Sequence, residues 1–259
     1  MPEPVLTERR GHVFEITLDR PKANAVDAAT SRAMDRAFAT FRDDPDLWVA
    51  ILTGGGTRFF SAGWDMTSNP DEDDRDFGEG GFGGITGRFD LDKPVIAAVN
   101  GYCAGGGLEI ALACDFILAA EHAVFFLSET VLGMTCHPAS VARLLASVPR
   151  QFGLEMLYSG RRVGAVEAAA NGLALRVVPR AQLMDTARDL ADRIAAAAPL
   201  ATRATKEMVR KAADLPIAAA HAARTDGTLA LVDEVWASED AKEGPRAFSE
   251  KRKPVWRGR

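Results

Sequence analysis

Three short and nearly unbroken apolar runs constrain this chain most: "LWVAILTG" (47–54), "KPVIAAVNG" (93–101) and "DFILAA" (115–120). A strand with one wet face alternates apolar and polar residues, whereas a run that is apolar on both faces must be covered on both. Each run is shorter than an ordinary helix, so the reading is a set of buried strands. "GHVFEITLD" (11–19) sets Val13, Ile16 and Leu18 among polar neighbours and reads as a further strand, ended by Arg20-Pro21. "DAATSRAMDRAFATFRDD" (27–44) has the period of an amphipathic helix. Strands alternating with helices over residues 1–180 imply α/β layering. Beyond that, residues 181–198, 200–214 and 217–238 all have helical period, broken at Pro199 and Pro216.

Composition serves mainly to exclude. A net charge of −5 creates no general attraction for phosphate backbones, which argues against nucleic acid as a partner. Cys103, Cys114 and Cys136 form no CxxC pair and have no paired His ligands, so neither a disulfide framework nor a zinc site is expected. The N-terminal residues lack the pattern of a secretory signal, and no run of eighteen apolar residues occurs, so a cytoplasmic protein without a membrane partner is the expectation. "SNPDEDDRDFGEGGFGG" (68–84) carries six acidic residues between Asp71 and Glu79. It reads as a solvated loop or as a lid over a site.

"GYCAGGGLEIALACD" (101–115) carries the chemistry. Three glycines open an apolar helix that holds one carboxylate, Glu109, although glycine disfavours helix interiors and an isolated acid is costly to bury. The segment matches neither GxGxxG nor the lysine-bearing phosphate loop. A site for a developing oxyanion fits better, because the first N–H groups of a helix lack intrahelical acceptors and glycine lets a substrate carbonyl approach. "FFSAGWDM" (59–66) offers a second such turn at Gly63, so two loops could each supply one N–H. Glu129, in "VFFLSETVLGM", is a second acid in apolar surroundings. Two such carboxyls, if close, would push their pKa values apart and provide one acid and one base. Taken alone, either is as readily a structural or capping residue.

Together, "RPKANAVD", "FSAGWD", "KPVIAAVNGY", "AGGGLEIALACD", "LSETVLG" and "EGPRAFSEKRKPVW" resemble the crotonase superfamily, in family order and over nearly the whole chain. The resemblance implies an α/β fold, a crotonase-like spiral of ββα repeats over residues 1–198, with a helical C-terminal region at 199–259 used in trimer assembly. It implies action on acyl-CoA thioesters, with coenzyme A as part of the substrate, no metal or redox cofactor, and a homotrimer or hexamer. By motif position the oxyanion hole falls on the N–H groups of Trp64 and Gly106, and the catalytic pair on Glu109 and Glu129. Coenzyme A is expected along Lys22, Ala23, Ala62 and Asp65, with Phe248 and Lys251 reaching a neighbouring subunit's ligand. Keeping both glutamates favours hydratase or dehydratase chemistry over isomerisation.

Details such as "AGWDM", "FDLDKPVIAAVNGY", "YSGRRVGAVEA" and "SEDAKEGPRAFSEKRKPVWRGR" are closer still to family dehydratases whose acyl group bears a trimethylammonium. Trp64, Phe82 and the acidic loop are candidates to meet that cation. One departure stands out. After "VLGM" the chain reads "TCHPASVARLL", so Cys136, His137 and Pro138 replace the small residues usual beside the acyl pocket. Pro138 and Ser140 still suit a helix start, and His137 could cap that helix or line the pocket. A hydratase for other short acyl groups, and a non-catalytic RNA-binding member of the same fold, are the alternatives.

Overall fold

The three apolar runs lie side by side in a six-stranded sheet ordered Val5–Arg10, Val13–Leu18, Val49–Gly54, Val95–Val99, Phe116–Ala120, Arg176–Val178. The first pair is antiparallel and the remaining pairs are parallel. The structure, a computed structural model, describes residues 3–67 and 76–259. Along each central strand the side chains alternate between two cores. Ala50, Leu52, Ala97, Val99 and Ile117 enter the larger one with Met34, Phe38 and Phe41 of helix Ala28–Asp43. Val49, Ile51, Ile96, Ala98 and Leu118 face the other way, onto Leu183, Ala187 and Ala191 of helix Leu183–Ala195. Cover on both faces is why these strands carry almost no polar residue.

Glu15 stands on that second face and meets Arg188 through two hydrogen bonds of 2.8 Å. Burying a Leu, Ile or Phe stabilises by about 1.5–3 kcal/mol, while a part-exposed ion pair contributes about 0–1 kcal/mol. Apolar packing therefore holds the sheet together, and the ion pair only adds direction.

Main-sheet strands are followed at once by short strands of a second layer: Val49–Gly54 by Phe59–Ser61, Val95–Val99 by Tyr102–Ala104, and Phe116–Ala120 by Val124–Phe126. These pair in parallel in a four-stranded sheet edged by Val163–Gly164. Repeated strand–strand–helix turns thus wind into the spiral that the family resemblance implies. Helices Pro199–Ala212, Ile217–Ala222, Ala230–Ala237 and Asp240–Ser249 come after it. Among the described residues, no helix is long and apolar enough to cross a membrane.

One expectation needs correcting, and one strand was not expected at all. Residues 217–238 are not one helical run: Gly227 (φ +86°) and Asp226, whose Oδ1 accepts from the Thr228 N–H at 2.9 Å, turn the chain between Ile217–Ala222 and Ala230–Ala237. Val5–Arg10 is a strand that periodicity does not reveal, since it lies at the sheet edge and buries only Val5. Of the acidic stretch, residues 68–75 lie outside the described residues.

Asn24 ties the loop before helix Ala28–Asp43 to the segment that leaves strand Val49–Gly54. Its Nδ2 donates to the carbonyls of Gly55 (3.0 Å) and Phe59 (2.9 Å), and its own carbonyl accepts from Ser61 Oγ at 2.7 Å. It holds φ +50°, a conformation that Asn tolerates better than most residues. Asn24→Ala is expected to cost about 1–3 kcal/mol by leaving the part-buried carbonyls of Gly55 and Phe59 without this donor. A thermal melt at fixed protein concentration with an unchanged Tm would refute this.

Candidate active site

Strand Tyr102–Ala104 runs parallel to Val124–Phe126, in register, with Ala104 opposite Phe126. The Gly105 N–H extends the pairing to the Phe126 carbonyl at 2.9 Å. Because both strands point the same way and end together, the segments that leave them are neighbours. One becomes helix Gly106–Leu112 and carries Glu109 in its first turn. The other turns at Glu129 into the 3₁₀ segment Thr130–Leu132. Residues twenty apart in sequence are thereby brought together. One oxygen of each carboxylate and the Cys136 sulfur all lie within 4.8 Å of one another. A single water hydrogen-bonded to both acids fits that separation.

Glu109 is only 7% exposed, and its Oε1 accepts the His137 backbone N–H at 2.8 Å. Burial pushes its pKa up. The His137 N–H opposes this and the charge of Glu129 reinforces it, while the neighbouring Ser140 hydroxyl also favours the charged form. Glu109 is therefore a stronger base than a free carboxylate. Glu129 Oε2 is buried without a protein partner, an acceptor left for an incoming group. Burial and the charges of Glu129 and Glu109 push the Cys136 thiol up to about 12. It is uncharged near neutrality and does not serve as a nucleophile.

The glycines allow two backbones to meet. A Cβ at Gly63 (φ +82°) would stand 2.6 Å from the Gly106 nitrogen, and one at Gly107 would stand 2.4 Å from the Ser61 carbonyl oxygen. Neither contact leaves room for a side chain. Strand Gly63–Trp64 is thus pressed against the start of helix Gly106–Leu112, which brings Trp64 and Gly106 together. Rather than sitting in a free turn after Val49–Gly54, Gly63 pairs in parallel with Ala25. That pairing recruits the segment around Lys22. Ala62 donates its N–H to the Ala23 carbonyl at 3.0 Å, while Lys22 itself is exposed.

Asp65 lies in the same cluster, but its carboxylate is held by Arg20 at 2.7 Å and by the Thr67 N–H and hydroxyl at 3.0 and 2.7 Å. Phe248 is not drawn into the cluster: it is 86% exposed on helix Asp240–Ser249, and Lys251 follows on the same surface. His137 caps helix Pro138–Ser147, its Nδ1 accepting from the Ala139 N–H at 3.2 Å. Three features were not legible from the sequence: the His137 backbone donor, Phe77, and the pair Ser31 and Asp35. The last two are spaced i, i+4 on helix Ala28–Asp43, a polar pair on a face that otherwise supplies the core.

Residues 8–259 match the family model described as enoyl-CoA hydratase/isomerase. Among curated proteins, the chain is 52% identical over 261 residues, covering 100% of both chains, to a carnitinyl-CoA dehydratase of Salmonella enteritidis PT4. Among solved structures it is similar to an enoyl-CoA hydratase from Mycobacterium tuberculosis H37Rv, with a TM-score of 0.91, 36% identity, and 99% of this chain and 100% of that one covered. An enoyl-CoA hydratase from Bacillus anthracis gives a TM-score of 0.87 at 31% identity, over 99% of this chain and 100% of that one.

The raised pKa of Glu109 carries a stability signature. A carboxyl that holds its proton more tightly when folded opposes folding above its unfolded pKa, fully so above the folded value, and not at all where both states are protonated. Glu109→Gln keeps an oxygen for the His137 N–H and removes the charge. It is expected to raise Tm at about pH 8 by more than at about pH 4. Equal changes at the two pH values would overturn this reading.

Proposed function

The chain belongs to the enoyl-CoA hydratase/isomerase family, and from that premise we propose that it interconverts crotonobetainyl-CoA and L-carnitinyl-CoA, acting as a hydro-lyase. The observation that carries the chemistry is the pair of carboxylates within 4.8 Å, beside two backbones joined through glycine. The 52% identity to carnitinyl-CoA dehydratase over the full chain supports the substrate.

In the hydration direction, the thioester oxygen lies between the N–H groups of Trp64 and Gly106. Glu109, made more basic by burial, takes a proton from water as its oxygen bonds to Cβ. The Cα=Cβ electrons move onto the thioester as an enolate, whose oxygen the two N–H groups hold. Glu129, which enters this step carrying a proton, delivers it to Cα as the carbonyl re-forms, and the proton now on Glu109 passes back to Glu129 through water before the next turnover. Dehydration runs the same steps in reverse. Lys22 and the Ala23–Asp65 cluster are assigned to the nucleotide end of coenzyme A in this reading, supported by the pairing of the Lys22 segment with Gly63. Exposed Ile217, Trp236 and Phe248 on the C-terminal helices suit burial between subunits, in keeping with a homotrimer or a hexamer.

A hydratase for other short acyl groups is the second reading, favoured by Cys136, His137 and Pro138 beside Glu109. The test monitors loss of the enoyl-thioester absorbance with crotonobetainyl-CoA and crotonyl-CoA side by side. The betaine is expected to have the higher kcat/KM, and Glu109→Gln or Glu129→Gln to lower kcat about 10²–10⁴-fold on either substrate. Preference for crotonyl-CoA would transfer the assignment to the second reading. Full activity in either variant would reject the mechanism.

A further inference from the structure

We propose that Trp64, Phe77 and Phe82 form a rigid aromatic subsite for a quaternary ammonium group at the end of the acyl chain. The proposal rests on the substrate class above and goes beyond it by naming Phe77 and the device that holds it. The three rings pack edge to face or tilted, with centroids 5.5 Å (Trp64–Phe77), 5.6 Å (Phe77–Phe82) and 6.3 Å (Trp64–Phe82) apart. None is fully buried, and Trp64 is 37% exposed. A cluster of large rings left partly open to water marks a surface meant to be covered.

The cluster's place fits the substrate. A Cβ on Gly106 would stand 2.5 Å from the Phe82 ring, so that ring lies directly against the residue whose N–H faces the thioester oxygen. Trp64 contributes its backbone to the same hole and its side chain to the cluster. In a crotonobetainyl group the cationic nitrogen is only three carbons beyond the thioester carbon. With the oxygen held, the ammonium cannot travel far from these rings. Of the cations in this part of the chain, Arg20 is held by Asp27 at 2.9 Å and Asp65 at 2.7 Å, and Arg32 donates to the Asp76 carbonyl at 2.8 Å.

The main chain that carries Phe77 and Phe82 is also held in place. Ser31, fully buried, donates its hydroxyl to the Phe77 carbonyl at 2.9 Å and accepts the Gly83 N–H at 3.0 Å. One turn further along, Asp35 accepts the Gly80 N–H at 2.7 Å and pairs with Arg88. Helix Ala28–Asp43 thus clamps residues 77–83 at two levels. A surface set before the ligand arrives loses little on binding it. A trimethylammonium presents a diffuse positive charge and an apolar outer shell, both of which suit ring faces.

The test separates charge from shape. Crotonobetainyl-CoA is compared with its neutral isostere, 5,5-dimethylhex-2-enoyl-CoA, in which carbon replaces nitrogen. Phe77→Leu is expected to lower the betaine-to-isostere ratio of kcat/KM about 3- to 30-fold, through KM, with Phe77→Tyr restoring it. The ratio cancels any loss of folding or catalysis common to both substrates. An unchanged ratio, or an equal loss on both, overturns the subsite. Should the wild type turn over crotonyl-CoA but not the betaine, the substrate reading fails. The same ratio is then read from inhibition constants against crotonyl-CoA. Tighter betaine binding that is lost in Phe77→Leu upholds the subsite, and equal binding of the two analogues refutes it.

Discussion

Much of this molecule depends on the parallel, in-register pairing of Tyr102–Ala104 with Val124–Phe126. The pairing costs no side chain and uses only backbone groups, yet it decides which two segments leave the sheet as neighbours. Shift the register by one residue and the side chains of the strand exchange faces. Glu109 and Glu129 would then no longer lie within 4.8 Å of each other. The larger sheet holds this pairing in place, because its central strands are packed on both faces and three of them, Val49–Gly54, Val95–Val99 and Phe116–Ala120, lead directly into short strands of the second layer. Apolar burial thus does at a distance what no local contact between the acids could do, since two like charges repel.

That repulsion is part of the function. Glu109 is buried, lies close to another carboxylate and is supported by one backbone donor, and each of the first two facts makes its charged form less favourable. A protein selected for stability alone would carry an amide or an apolar residue there. The site concentrates destabilisation at one side chain and surrounds it with closely approaching backbone, where Gly63 and Gly107 admit no substitute without displacing a neighbouring strand or helix start. The glycines that seemed misplaced in a helix are placed by contact distance, and helix propensity is the weaker of the two demands.

How legible this was from the sequence depended on range. The central strands were readable because a run such as "LWVAILTG" leaves few alternatives to two-sided burial, and helix 27–44 because its period is clean and Asp27 caps it. Val5–Arg10 escaped because an edge strand of charged residues has no apolar signal, and the second-layer strands because two or three residues are too few to show a period. Both glutamates were visible as oddities, but nothing local to either implied that they meet. Only the family's motif order joined them. Phe77 was hidden in an acidic, glycine-rich stretch that read as a solvated loop or a lid without singling out any ring, and its anchor Ser31 lies 46 residues earlier.

The donor that holds Glu109 is the main-chain N–H of residue 137, not a side chain. Any residue except proline supplies that group, so the side chain at position 137 can change while the acid keeps this donor. Cys136 and His137 are then not damage to a catalytic motif. The hold on the acid is written in the main chain, where a change of side chain at 137 leaves it standing.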